Sequence, residues 1–162
     1  MSLRDTFPTH HTFTSGKVHL HLNLSGKNLF WLMPLGRREL ERKLESMLET
    51  AFSGTVELDL LLVRDAEMAV YNKAYMGCSG PTNILSFPLD EQFCDTDTVT
   101  SLGSLILSVD MLHREARLYG QHVAMHCIRL LAHGLGHLAG FDHGPEMDTF
   151  CLTMEKAAFQ EP

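Results

Sequence analysis

The sequence predicts a single α/β (α+β) domain in which a small mixed sheet of four strands packs with about five helices. The length of 162 residues suits one hydrophobic core. Four short segments either alternate apolar with polar residues or run continuously apolar, as strands do. Between and after these segments, apolar residues recur at helical spacing. Strands interleaved with helices in this way give one α/β or α+β sheet.

Two of the predicted strands differ in the faces that they bury. Residues 17–24 alternate apolar and polar side chains, which indicates a half-buried strand with His19 and His21 facing solvent. Residues 55–63 hold a nearly continuous apolar run, which suits a strand covered on both faces.

The other two predicted strands lie in the middle of the chain. Residues 83–88 end in Pro88, which indicates an edge position because proline supplies no N–H to a ladder. Residues 102–108 form the fourth strand pattern, and an acidic stretch over 90–100 is expected to be an exposed loop. Residues 1–11 are expected to be a loose tail.

Five segments have the apolar spacing of helices, and glycines mark the ends of several. The fourth of them carries a histidine motif and is spread with apolar residues round its axis, so it is expected to be a buried, zincin-like metal helix. The predicted helices cover residues 36–52, 65–75, 109–119, a segment from about 121 through the histidine motif, and 146–159.

Composition narrows the classes of function. Hydrophobic residues make up 44% of the chain, and 13 basic against 20 acidic residues give a net charge of −7, which argues against a nucleic-acid-binding coat over the whole surface. A local basic groove is not excluded. The four cysteines form no C-x-x-C pair, and neither a signal peptide nor a run of about 18 apolar residues is present, so a reducing cytoplasmic location is expected.

The histidine motif near the end of the chain predicts a metal site. His133 and His137 are four residues apart, so a helix places both imidazoles on one face. Gly140 follows where a helix ends in a left-handed turn, and the reversed chain can return His143 beside the other two. Three imidazoles with a fourth position open to water are typical of a catalytic zinc site. The alternative is that these are ordinary surface or packing histidines.

The spacing matches the zincin pattern H-E-x-x-H-x-x-G-x-x-H at every position but one. Gly134 stands where those proteases have the glutamate that acts as general base. A peptidase of that type needs the carboxylate to deprotonate its water. The motif therefore indicates zincin geometry without zincin proteolysis, although another metal-dependent hydrolase remains an alternative.

The same motif, read as H-G-x-x-H-L-x-G-F-D-H, resembles the signature of the YbeY family of rRNA-maturation endoribonucleases. Two further stretches are similar to family motifs in the same order, namely P-T-N-I-L-S-F-P at 81–88 and L-G-S-L-I-L-S at 102–108. The resemblance covers roughly residues 55–150.

The resemblance implies one zinc ion per chain, bound by His133, His137 and His143. It implies cleavage of single-stranded RNA in the 3′-end maturation of small-subunit rRNA and in ribosome quality control. The implied partners are single-stranded RNA, small-subunit rRNA and ribosomal particles, with no membrane and no DNA. It also implies a groove between the metal helix and the edge strand.

Four residues besides His133, His137 and His143 are candidates for function. Asp142 is the nearest carboxylate to the ligands in sequence, although a role in stabilising the turn competes with a catalytic one. Asn83 and Ser86 could line the RNA path or be plain edge-strand residues. His126 lies seven residues before His133 and is either an orienting group for a ligand or a packed core histidine.

Four positions depart from the family pattern. Met76 and Cys78 replace an arginine and a lysine, so a charge-assisted contact to phosphate is lost. Ser104 replaces an aspartate, and Gly136 replaces a larger apolar residue at a cost of about 1 kcal/mol against alanine. These departures support an alternative function, a non-catalytic, metal-stabilised module that binds the ribosome.

Overall fold

A mixed five-stranded sheet forms the centre of the molecule. The computed structural model describes residues 9–89 and 99–160. The strands stand in the order β1-β2-β3-β5-β4, with β2, β3 and β5 parallel and the two edge strands antiparallel to their neighbours. The α/β prediction is therefore confirmed. The strands are β1 (Thr9–Ser15), β2 (Val18–Leu24), β3 (Val56–Val63), β4 (Ile84–Pro88) and β5 (Thr100–Ser108).

The first strand corrects the predicted count of four. Residues 9–11 were expected in a loose tail, yet they belong to β1, which turns through Gly16 and pairs with β2. The pattern was missed because β1 has a single large apolar residue, Phe13, and so little hydrophobic periodicity. Residues 1–8, the rest of the predicted tail, lie outside the described residues.

His21 on β2 is a second correction, because its ring is only 8% exposed and does not face solvent as expected. It stacks on His10 of β1, with 5.6 Å between ring centroids, and its Nε2 lies 2.7 Å from Glu57 Oε1. The strand that the sequence pattern missed is thus what covers this ring. His19 on the same face is half-buried.

The edge position of β4 is confirmed. Its last residue pairs with Gly103 of β5, where φ is 117° and an added Cβ would lie 2.1 Å from the Phe87 carbonyl oxygen. Only glycine satisfies both constraints at this bend. Most of the loop expected over 90–100 lies outside the described residues, and Thr100 already belongs to β5.

The helices follow the prediction closely. The second ends at Gly77, which has φ 66°, and the fifth begins one residue earlier than expected because Pro145 suits the first position of a helix. No helix in the two described ranges has the length and apolar character needed to cross a membrane. The helices are α1 (Arg37–Ala51), α2 (Asp65–Met76), α3 (Val109–Leu118), α4 (Val123–Leu138) and α5 (Pro145–Phe159).

Helices cover the two faces of the sheet unequally. On one face, the apolar sides of α1 and α4 share the main core with the strands, and α5 packs against both helices. On the other face, α2 inserts Met68 into a smaller cluster formed with β3, β4 and β5. The predicted metal helix, α4, therefore lies directly against the edge strand β4 and its neighbour β5.

Candidate metal centre

The last turns of α4 bring two imidazoles together. His133 and His137 are one turn apart, and their Nε2 atoms lie 3.1 Å from each other. Both rings are half-buried, and their centroids are 4.6 Å apart. Spacing by four residues on a helix is sufficient to produce this convergence, as the sequence predicted.

The end of α4 then reverses the chain. The N–H of Phe141 donates to the Gly136 carbonyl and the N–H of Gly140 to the His137 carbonyl, each at 3.0 Å. This pair of hydrogen bonds is the Schellman motif, which requires a left-handed residue, and Gly140 supplies it with φ 91°. The left-handed turn predicted at Gly140 is confirmed. The reversal carries His143 back to the helix end.

Three imidazoles meet at this point and fit a zinc ion by donor type and spacing. The centroid of His143 lies 5.3 Å from that of His133 and 4.9 Å from that of His137. One nitrogen from each ring lies within 4.8 Å of the other two. Tetrahedral zinc with Zn–N bonds near 2.0–2.1 Å sets its ligand nitrogens about 3.3 Å apart, so small side-chain adjustments suffice. His143 is exposed, which leaves one side of the cluster open.

The surroundings keep His133 in the form that binds metals. Burial lowers the pKa of His133, and the neighbouring His137 and His143 imidazoles lower it further. A proton on His133 would place a positive charge in a half-buried position beside two other imidazoles. The neutral His133 ring, which has a free lone pair, is therefore favoured. In the described ranges the cluster consists of imidazoles alone, without a carboxylate or a thiol.

Gly134, which stands where the zincin proteases have a glutamate, faces the sheet. An added Cβ at Gly134 would lie 2.8 Å from Leu105 Cδ2 and 2.9 Å from Ile84 Cδ1. Glycine allows the backbone of α4 to approach β4 and β5 closely, and no room remains for a carboxylate side chain. The absence of the peptidase base thus has a packing cause.

Gly136 has a related explanation on the opposite side of α4. An added Cβ there would lie 2.3 Å from Met147 Sδ, since α5 packs against this turn. Met147 is 2% exposed, so its flexible side chain occupies the space that a larger residue at 136 would need.

The candidate substrate residues connect β4 to the helices around it. Ser86 Oγ donates to the Gly134 carbonyl at 3.4 Å, next to His133 in the chain. The amide nitrogen of Asn83 donates to both carboxylate oxygens of Glu115 at 3.1 and 3.2 Å, and its Oδ1 accepts from its neighbour's N–H at 2.6 Å. Asp142 is exposed in the turn between two of the imidazoles.

His126 does not reach the three-histidine cluster. Its Nε2 donates to Glu115 at 2.8 Å, and the ring is 7% exposed with Tyr119 packed edge-on against it. Glu115 therefore joins α3, α4 and the loop before β4 through Asn83. Sequence reasoning missed Glu115, because nothing distinguishes one glutamate on an amphipathic helix from its solvated neighbours.

Three of the four departures from the family pattern, Met76, Cys78 and Ser104, lie at the end of α2, just after it, and on the face of the sheet that α2 covers. Met76 is 60% exposed and Cys78 is exposed, and neither side chain carries a positive charge. Arg114 is engaged with Asp65 at the start of α2. Ser104 lies beside a group of aromatic side chains on the α2 face.

Comparison with known proteins identifies relatives of this chain. Residues 34–160 match the model of the family described as Endoribonuclease YbeY. The chain is 47% identical over 143 residues to the Endoribonuclease YbeY of Nitratidesulfovibrio vulgaris, an alignment that covers 79% of this chain and 88% of that relative. It is 44% identical over 131 residues to the Lawsonia intracellularis protein of the same name, with 81% and 92% covered.

A solved structure shares the fold. The solution structure of a Thermotoga maritima protein superposes with a TM-score of 0.61 and 23% identity, over 88% of this chain and 89% of that one. At this identity the likeness supports the architecture alone. The family match and the curated relatives carry the assignment further: this chain belongs to the YbeY endoribonuclease family.

Proposed function

We propose that this protein, as a single domain, is a metal-dependent endoribonuclease that binds one Zn²⁺ through His133, His137 and His143 and cleaves single-stranded RNA. The observation that carries the proposal is the meeting of three imidazoles, open on one side, beside the edge strand β4. Membership in the endoribonuclease family supports RNA as the substrate.

The residues around the centre have distinct roles in this proposal. A divalent metal bound there would act as a Lewis acid that polarises a phosphoryl oxygen. Ser86 and Asn83 hold β4 against α4 and α3, so the wall of the RNA path is rigid. Asp142, exposed between two ligands, is the proposed proton acceptor. The RNA 2′-hydroxyl is an available nucleophile, and its proton would pass to this acceptor.

The proposed biological role is more specific than the proposed chemistry. We infer that the enzyme trims the 3′ end of small-subunit rRNA and takes part in ribosome quality control, acting on rRNA and ribosomal particles in the cytoplasm. The family membership supports this role. Neither DNA nor a membrane surface is expected among its partners.

Single-turnover cleavage of a short single-stranded RNA tests the proposal. We expect His137→Ala to abolish cleavage, because it removes one of three metal ligands. The control is His122→Ala, which changes an exposed histidine on the same helix, roughly 20 Å away along its axis. Cleavage at the same rate by wild type and His137→Ala would contradict the proposal.

A second function is favoured by one observation, the exposed Met76 where the family pattern has a cation. The alternative is a non-catalytic module that binds ribosomal particles and is stabilised by its metal. It predicts binding of small-subunit particles without cleavage at high protein concentration. Recovery of cleavage by Met76→Arg would instead indicate a weakened enzyme.

A further inference from the structure

We propose that a pocket on the far side of the edge strand binds one unpaired base of the RNA substrate by stacking. The base pocket is lined by Tyr71, Tyr75, Phe87, Leu89 and Ser104 and has a volume of about 170 Å³. This inference rests on the proposed function and adds a specific binding subsite to it.

The aromatic rings of the base pocket are arranged for stacking. Tyr75 is 51% exposed, and it meets Phe87 edge-on with 5.0 Å between centroids. Tyr71 lies nearly parallel to Tyr75 at 6.3 Å, with 14° between the ring planes. Accessible aromatic faces of this kind bind the bases of single-stranded nucleic acids with little sequence preference, since every base has a π face.

The volume and the uncharged lining of the base pocket indicate which chemical group it binds. The volume is below the roughly 300 Å³ at the lower end of pockets for drug-sized ligands, so one planar ring system is the size that fits. The residues that line the base pocket are uncharged, with Ser104 and the tyrosines as its polar groups. A base with its phosphates left in solvent satisfies both conditions, whereas a phosphate in the pocket would be buried without a cation.

The base pocket and the histidine cluster lie on opposite faces of the edge strand β4. Ser86 and Phe87 are neighbours on β4, so their side chains point to opposite faces of the sheet. Ser86 contacts α4 beside His133, and Phe87 lines the base pocket. In the described part of the chain β4 pairs with β5 alone, which leaves its outer edge unpaired. RNA that passes over this edge would meet the metal centre on one side and the pocket on the other.

Stacking also accounts for how this chain retains RNA without the two cations of the family pattern. Met76 and Cys78 neutralise no phosphate, and the net charge of the chain is −7. Binding that depends on phosphate neutralisation weakens steeply with salt, whereas stacking on uncharged rings does not. The base pocket therefore predicts a shallow dependence of RNA affinity on salt.

The test measures binding of the metal-loaded protein to a 2′-O-methylated single-stranded RNA, whose sugars lack the nucleophilic hydroxyl. We expect Tyr75→Leu to weaken binding roughly 5- to 150-fold, the range for loss of one stacked base, and Tyr75→Phe to bind like wild type. Trp31→Leu is the matched control, because Trp31 is 88% exposed and lies outside the pocket. Thermal unfolding of each variant checks that the fold is intact.

An RNA with a single abasic position, moved along the sequence, sharpens the test. One position should weaken binding to wild type as much as Tyr75→Leu does, and the two changes together should cost no more than either alone. Equal binding by wild type and Tyr75→Leu, or a Tyr75→Phe variant as weak as Tyr75→Leu, would overturn the base pocket. If cleavage still depends on His137 in that case, the proposed function stands; if wild type neither binds nor cleaves RNA, both proposals fail.

Discussion

Helix α4 holds histidines in two contrasting environments, seven residues apart. His126 is buried and paired with the Glu115 carboxylate at 2.8 Å. His133 and His137 are half-buried and have imidazoles as their polar neighbours. The comparison teaches that the neighbour determines the role of a histidine more than its burial does. An imidazole beside a carboxylate has a charged partner within the protein, whereas three imidazoles that face one another present lone pairs that could hold a cation from outside.

The largest expected effect is on metal content, which should fall when His133 is replaced and stay unchanged when His126 is replaced. Replacing His133 with alanine should lower zinc affinity by more than about 100-fold, because even indirect supports of metal ligands are worth 10- to 100-fold. His126→Ala should keep one zinc per chain. Elemental analysis of the purified variants measures both, and zinc lost from His126→Ala alone would reverse the comparison.

The second prediction is that His126 contributes more than His133 to the stability of the metal-free protein. His126→Ala should lower the free energy of unfolding by about 1–3 kcal/mol, because it removes one of the two side-chain donors described for the Glu115 carboxylate, the other being Asn83. His133→Ala should cost less in the presence of a chelator, since the wild-type ring has no acidic partner among the described residues. Urea denaturation of the metal-free variants makes the measurement. A larger loss from His133→Ala would show that the cluster stabilises the fold without metal.

The third prediction concerns the glycines between the ligands. Gly134→Ala should destabilise the protein by about 1 kcal/mol, as overpacking against Leu105 and Ile84 outweighs the better helix propensity of alanine. Gly136→Ala should cost less, because the atoms in its way are the end of the flexible Met147 side chain. Equal midpoints in thermal unfolding would contradict the close approach of α4 to the sheet.

The smallest expected effect concerns an exposed acid–base pair that contrasts with the buried one. A hydrogen bond from Arg64 lowers the pKa of Asp110 below its ordinary value of 3.8. The stability from this pair is therefore fully present above pH 3.8 and is lost as the pH falls through the lower pKa of the folded state. Asp110→Asn should make the free energy of unfolding fall less steeply with acid than in wild type, which denaturation at a series of acidic pH values would measure.

The sequence predicted the parts of the molecule that follow from spacing. The i,i+4 histidines, the turn at Gly140 and the edge position of β4 each depend on local geometry alone. It did not predict β1, whose polar residues give little periodicity, or the burial of His21 beneath that strand. Glu115 was invisible for a similar reason, since its contacts join elements that are distant in sequence.

The candidate residues beside the metal centre show the same limit. Asn83 and Ser86 were chosen from a motif, and the structure gives both hydrogen bonds within the fold. Contact of these side chains with RNA depends on the path of the RNA over the protein, and the periodicity of apolar residues in the sequence does not encode that path. Gly134 was noted for a missing carboxylate, but its closeness to the sheet follows only from three-dimensional packing.

The Schellman turn at Gly140 has a consequence for how the end of the chain is held. Two imidazoles belong to a helix and the third to the segment after it, so an ion gripping all three would tether α5 to α4 by a route independent of the core. Metal occupancy would then slow amide hydrogen exchange in residues 138–146 more than elsewhere. Removal of the ion by a chelator would loosen this corner first, which limited proteolysis would detect.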